Sequence, residues 1–381
     1  MVRLVTALAG LFLVFGGLAA AQEPVFQTSA SHAVIMDYET GEVLFSKDGS
    51  EPMPPSSMSK LMTALMVFEA LEAGTLSLDD ELPVSVRAWR EGGAASGGST
   101  MFLEVNSRAR VDDLLRGIIV QSGNDACIVV AEAIGGSEEA FADMMTRRAR
   151  EIGLETASFR NSTGLPADGH VISAEDLARL AAHIIRNHPQ YYALYSETTF
   201  TYNGIRQANR NPLLGVFEGA DGLKTGHTSQ AGYGLTASAQ RSGERRIIVF
   251  NGTQSMRDRA NEAERLMRAA FSDFVMVDLA EAGAEIGAAD VYMGTARNVS
   301  LRTTAPIRAP MHRRERDRMR AEIVYDGPLT APVSEGDEVA RLVITMPDGR
   351  TREYPLEAAS EVRRQGMVSR AMSALVNLVA G

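Results

Sequence analysis

The chain has 381 residues, of which 45% are apolar and 23% charged, enough for more than one packed domain. Its 48 acidic and 38 basic side chains leave a net charge of −10, which argues against diffuse nucleic-acid binding, since that needs a basic surface. The single cysteine, Cys127, excludes an intrachain disulfide and a Cys-rich metal site.

Residues 1–21 open with Arg3, run uncharged from Leu4 to Ala21 and end in Ala19-Ala20-Ala21 before Gln22. A charged start, an apolar middle and a small-residue end predict a secretory signal peptide and export; the alternative is an uncleaved membrane anchor. Apolar stretches at 33–35 and 43–45, around Tyr38-Glu39-Thr40-Gly41, predict a β-hairpin. A helix is expected over 57–72, with Leu61, Leu65, Phe68 and Leu71 on one face and Gly74 ending it. Residues 92–99 read as a flexible loop. Further helical patterns cover 111 to about 122, 125–134, 138–152 and 175–188, the last stopped by Pro189. Strand-like runs follow at 234–239 and 246–251, then a helical pattern over 259–274.

From residue 277 the texture changes. Turn signals recur at Gly283, Gly287, Gly294, Asp326-Gly327 and Asp348-Gly349, with β-like runs at 321–325 and 339–345 between them. These predict a small β-rich domain over 277–365, behind a first domain at 22–276. Residues 308–320 carry six arginines against Glu315 and Asp317, read as a solvated β-hairpin or as a contact for anionic headgroups. Residues 366–381 are again helical, with Met367, Ala371, Leu375 and Leu378 along one side. That pattern suggests a membrane-surface anchor helix; a helix docked on the β domain or a dimer contact would read the same way.

Three short motifs carry chemistry. In Ser57-Met58-Ser59-Lys60 a Ser and a Lys three apart at a helix start share one face, and a neutral Lys could take the serine proton. Ser122-Gly123-Asn124 pairs a hydroxyl with an amide. Lys224-Thr225-Gly226, followed by His227, supplies a cation, a hydroxyl and a glycine that lets backbone approach a ligand. Each is weak alone. Together, in this order, they are the set of β-lactamases and penicillin-binding proteins.

On these motifs, and on Ile119-Val120-Gln121-Ser122-Gly123-Asn124-Asp125-Ala126, Phe159-Arg160-Asn161-Ser162-Thr163-Gly164-Leu165-Pro166 and Asp221-Gly222-Leu223-Lys224-Thr225-Gly226-His227-Thr228, the chain resembles the D-alanyl-D-alanine carboxypeptidases, low-molecular-mass penicillin-binding proteins of the bacterial envelope. The resemblance covers residues 30–275 well and extends more loosely to a β-rich second domain and an amphipathic anchor. It implies an α/β catalytic domain of the β-lactamase/DD-peptidase kind, with an antiparallel sheet, a helical lobe and the site between them.

The resemblance also implies roles. Ser57 would be the nucleophile, Lys60 its base and Ser122 a proton relay. Asn124 would hold Lys60 and substrate backbone, Lys224 and Thr225 would help bind the terminal carboxylate, and Gly226 would be part of the substrate-binding site. His227 would lend its backbone N–H, with that of Ser57, to an oxyanion hole. Arg259 would complete the carboxylate site, with Arg257 as its rival. The implied partners are the peptidoglycan stem peptide, β-lactam antibiotics as covalent inhibitors and a membrane surface, with no cofactor. The implied location is the periplasm, at the outer face of the inner membrane. The rivals are a β-lactamase, a D,D-endopeptidase and a catalytically dead wall-binding protein.

Other residues read as structural. Glu151-Ile152-Gly153-Leu154-Glu155 lacks the Asn of an E-x-x-L-N element. His183 and His188 do not have the i, i+4 spacing of a helical metal site, so no metal is expected. His170, Cys127 and Trp89 are expected to be packing residues.

Overall fold

The computed structural model describes residues 26–346 and 349–366. The signal-peptide segment 1–21, and the anchor segment 366–381 beyond its first residue, lie outside the described residues. The chain divides into two compact units at Phe274/Val275.

The first unit opens with β1 (His32–Asp37) and β2 (Val43–Lys47), the expected hairpin. A 3₁₀ turn, Ser56–Ser59, leads into α1 (Lys60–Glu72), and Gly74 follows at φ +68°. α1 is not one-faced: every residue from Lys60 to Phe68 is buried, so it is the central helix of the unit. Next come β3 (Glu81–Pro83), its partner β4 (Arg108–Arg110), α2 (Val111–Arg116) and a π-helical turn, Gly117–Gln121. α3 (Asn124–Gly135) and α4 (Glu138–Glu151) complete a helical lobe with α2.

α5 (Ala174–Asn187) and the short α6 (Pro189–Tyr192) follow, then the hairpin β5 (Thr199–Tyr202) and β6 (Ile205–Ala208). β7 (Ala220–Thr228), β8 (Gly232–Arg241) and β9 (Glu244–Thr253) join the first hairpin in a five-stranded antiparallel sheet of order β2-β1-β9-β8-β7. β9 is buried at every position from Arg245 to Asn251. Burial at consecutive strand positions means both faces are covered; α5 and α7 (Met256–Ser272) both pack on β9. α7 starts three residues before the expected position because Ser255 caps it, accepting from the Asp258 N–H at 3.1 Å. It ends at Ser272, before Phe274, which begins a strand.

The second unit is all β. It contains β10 (Phe274–Ala280), β11 (Glu285–Tyr292), β12 (Asn298–Thr303), β13 (Ile307–His312), β14 (Arg320–Val324), β15 (Leu329–Thr330), β16 (Glu338–Thr345) and β17 (Thr351–Ala358). Six of these form a sheet of order β14-β16-β17-β12-β11-β15, and β10 pairs with β13. The arginine-rich stretch is therefore not a hairpin. β13 and β14 belong to different sheets, separated by a 3₁₀ turn at Arg313–Arg318. Among the described residues no helix is long and apolar enough to cross a membrane.

Candidate active site

The Ser57 turn is clamped from two sides. Gly164 sits at φ +81°, and a Cβ there would stand 2.0 Å from the Ser56 carbonyl oxygen; a Cβ on Gly226 would stand 2.9 Å from the Pro55 carbonyl oxygen. Only glycine lets the loop after α4 and strand β7 approach so closely. The short turn places Ser57 and Lys60 on one face, and Lys60 Nζ donates to Ser57 Oγ at 2.7 Å. The same ammonium donates to Asn124 Oδ1 at 2.8 Å and to the Thr163 carbonyl at 2.6 Å.

No carboxylate pairs with Lys60 among the described residues. Burial lowers it to about 8, and the nearby Arg210 adds to the effect. Roughly one tenth of the amine is then neutral at pH 7. Cys127 is fully buried, as expected of a packing thiol, and the same burial pushes it up to about 12.

The helical lobe supplies the second motif. After the π turn, Ser122 adopts a left-handed backbone, φ 62° and ψ 32°. Its Oγ is buried, with no hydrogen-bond partner among the described residues. The Asp125 carboxylate accepts from Thr100 Oγ1 at 2.6 Å and from the Met101 and Leu103 N–H groups at 3.0 Å each. The Asn124 N–H bonds the Ser99 carbonyl at 2.8 Å. These bonds tie the 99–103 segment to the start of α3.

β7, at the edge of the sheet, carries the third motif. A cleft of about 280 Å³ is lined by Ser57, Ser122, Thr225, Gly226, His227 and Arg259, all expected. Ser99, Arg210, Tyr233 and Met256 also line it, and sequence reasoning missed them. Lys224 does not line the cleft. It is buried, its Nζ donating to the Thr225 carbonyl at 3.2 Å, and burial followed by Lys60 and Arg210 holds it well below the ordinary lysine value. His227 stacks on Tyr233 at 3.9 Å, and the Arg259 guanidinium lies 5.7 Å from the same ring. Arg259 is buried and its Nε has no hydrogen-bond partner among the described residues, whereas Arg257 is exposed. Arg210 donates to Ser99 Oγ at 2.5 Å. Among the described residues no acidic side chain lines this cleft, so its field favours an anion.

Among the decoys, Glu151 ends α4 in an ion pair with Arg148 at 3.0 Å. His170 is buried, accepts the Arg160 N–H at 3.1 Å and packs edge-on against Phe159. Trp89 is not a packing residue: its side chain is 41% exposed.

A serine held by a buried lysine, a hydroxyl and amide from a helical lobe, and a cation-flanked edge strand define a serine-type acyl-transfer peptidase site. The family model for D-alanyl-D-alanine carboxypeptidase matches residues 18–255, and that for the penicillin-binding protein 5 C-terminal domain matches residues 274–364. The chain is 37% identical over 340 residues to D-alanyl-D-alanine carboxypeptidase DacD of Escherichia coli, covering 88% of each, and 33% identical over 350 residues to DacF of Bacillus subtilis, covering 89% of this chain and 87% of the relative. The crystal structure of DacD from Francisella tularensis is similar at TM-score 0.76 and 30% identity, covering 94% of this chain and 98% of that one. Penicillin-binding protein 5 from Haemophilus influenzae is similar at TM-score 0.67 and 34% identity, covering 90% and 100%. The chain belongs to the D-alanyl-D-alanine carboxypeptidase family.

Proposed function

We propose that this protein removes the terminal D-Ala from peptidoglycan stem pentapeptides through an acyl-enzyme on Ser57, and that β-lactams acylate the same oxygen. The observation that carries the reading is the 2.7 Å contact between Ser57 Oγ and a lysine lowered to about 8. Neutral Lys60 takes the Ser57 proton as Oγ attacks the carbonyl of the penultimate D-Ala. The backbone N–H groups of Ser57 and His227 receive the oxyanion. On collapse the C–N bond breaks, and the proton held by Lys60 passes through the Ser122 hydroxyl to the departing amine of D-Ala, leaving Lys60 neutral again. Water then attacks the ester with Lys60 taking its proton, and as the C–Oγ bond breaks Lys60 returns that proton to Ser57 Oγ.

Arg259, Arg210 and Thr225 provide the donors for the substrate's terminal carboxylate, with Lys224 buried behind Thr225. Asn124 holds Lys60 and the substrate backbone. The signal-like residues 1–21 and the amphipathic 366–381 support an exported, periplasmic enzyme attached to the outer face of the inner membrane, acting in cell-wall maturation.

The test is the intact mass of the protein after brief exposure to benzylpenicillin, with Ser57→Ala alongside, together with D-Ala release from a peptide ending in D-Ala-D-Ala. A persistent Ser57-dependent adduct with D-Ala release is expected. Rapid drug turnover would indicate a β-lactamase. An adduct without D-Ala release would indicate an endopeptidase. Neither adduct nor hydrolysis would mean a binding protein.

A further inference from the structure

We propose that the catalytic unit also holds a Zn²⁺ ion, away from the cleft, between Glu69, His183 and His188. One ligand atom from each lies within 4.8 Å of the others. Two histidines five apart point away from each other on an unbroken helix. Here the helix ends between them: α5 stops at Asn187, and His188 turns to φ −128° and ψ 48°. The ring centroids come to 5.9 Å, and Glu69 arrives from α1. The expectation of no metal rested on the i, i+4 rule, which presumes a continuous helix.

The surroundings are those of a ligand set. His188 Nδ1 lies 2.8 Å from Glu72 Oε1, and Gln190 Nε2 donates to the same oxygen at 2.6 Å. Donation from Nδ1–H to a carboxylate fixes the tautomer that keeps a lone pair on Nε2. Burial and Phe68, 6.0 Å away between centroids, hold this ring in place. His183 Nδ1 lies 3.1 Å from Asn187 Nδ2. The same Nδ2 donates to the His183 carbonyl at 3.1 Å, so with the metal on Nε2 the protonated Nδ1 gives up its contact with this amide. Neither Nε2 has a hydrogen-bond partner among the described residues.

The Glu69 carboxylate also accepts from Arg148 Nε at 2.9 and 3.1 Å, an ion pair that would share it with the metal. Two imidazoles and one carboxylate form a known three-ligand zinc set, with water in the fourth position. Bonds of about 2.0–2.1 Å put tetrahedral ligands roughly 3.4 Å apart, so closure needs about an ångström of movement from the partly exposed Glu69 and His183. Glu69 follows Lys60 by nine residues on α1, about 13 Å at the helical rise. The ion therefore ties the far end of the catalytic helix to the end of α5 without touching Ser57.

Titration calorimetry of metal-free full-length protein with Zn²⁺, and the visible spectrum with Co²⁺, test the site. One ion per chain is expected, at micromolar affinity or tighter, with tetrahedral Co²⁺ bands and a Tm that rises with Zn²⁺. His183→Ala and Glu69→Gln should each weaken binding by at least about tenfold while leaving benzylpenicillin acylation unchanged, which shows that the fold is intact. His188→Ala is unsuited because the ring is buried. Absence of saturable binding, or binding undiminished in both variants, overturns the proposal.

Discussion

Among the described residues of the second unit the buried side chains are apolar, apart from Thr303 and His312. The first unit buries Lys60, Lys224, Arg245, Arg246 and Arg259, with Ser122 and Asn124 among them. Two of these cations are paired: Arg245 with Asp221 at 2.8 Å, and Arg246 with Asp37. Lys60, Lys224 and Arg259 have no carboxylate partner among the described residues, and all three border the cleft or touch a group that does. The units differ in backbone as well. Ser56 and Ser122 hold positive φ beside the site, whereas the second unit has only Met293 among its described non-glycine residues. Burial of a paired charge builds structure. Burial of an unpaired one, beside a strained backbone, marks chemistry.

A matched pair of changes would break this contrast most forcefully. Leu356→Ala hollows the core of the second unit and should cost about 2–5 kcal/mol. Gly164→Ala forces a methyl against the Ser56 carbonyl and should cost on the order of 3 kcal/mol. Calorimetry should find both destabilised, but only Gly164→Ala should slow acylation of Ser57, because it displaces the loop that holds Lys60 through Thr163. Arg259→Gln should lower kcat/KM for D-Ala release by about 10–100-fold, mainly through KM, as expected for loss of a charged contact to a carboxylate. Lys224→Met separates stability from activity. Removing a buried amine that has no carboxylate partner should raise stability by on the order of 1 kcal/mol while D-Ala release falls. The smallest effect belongs to the second unit's surface: Arg341→Ala breaks the exposed pair with Glu353 and should cost less than about 1 kcal/mol, with no change in activity.

Much of this was legible in the sequence where local rules are strong. Helices α4 and α5 lie within a residue or so of their predicted spans, because a capping serine (Ser137, Ser173) and acids in the first turn mark each start. The three motifs meet at the cleft, as the resemblance implied. Strand β7 was not legible. Its Ala220–Thr228 run is rich in glycine and polar groups and is recruited by β8, not by any alternation of its own. Arg210 was missed because it lies in a loop outside every motif, and only the tertiary fold brings it to Ser99. Trp89 shows the reverse error: a large apolar side chain does not encode its own burial. The meeting of His183 and His188 depends on where a helix stops, which periodicity does not report.

The central claim is that a buried, uncharged Lys60 activates Ser57, and the pH dependence of the benzylpenicillin acylation rate tests it most directly. Lys60 is lowered from 10.5 to about 8, so below pH 8 it carries a proton and cannot accept another. The acylation rate constant should climb about tenfold per pH unit up to pH 8 and level off above it. A profile that stays flat, or falls, between about pH 6 and 10 would contradict the assignment of Lys60 as the base.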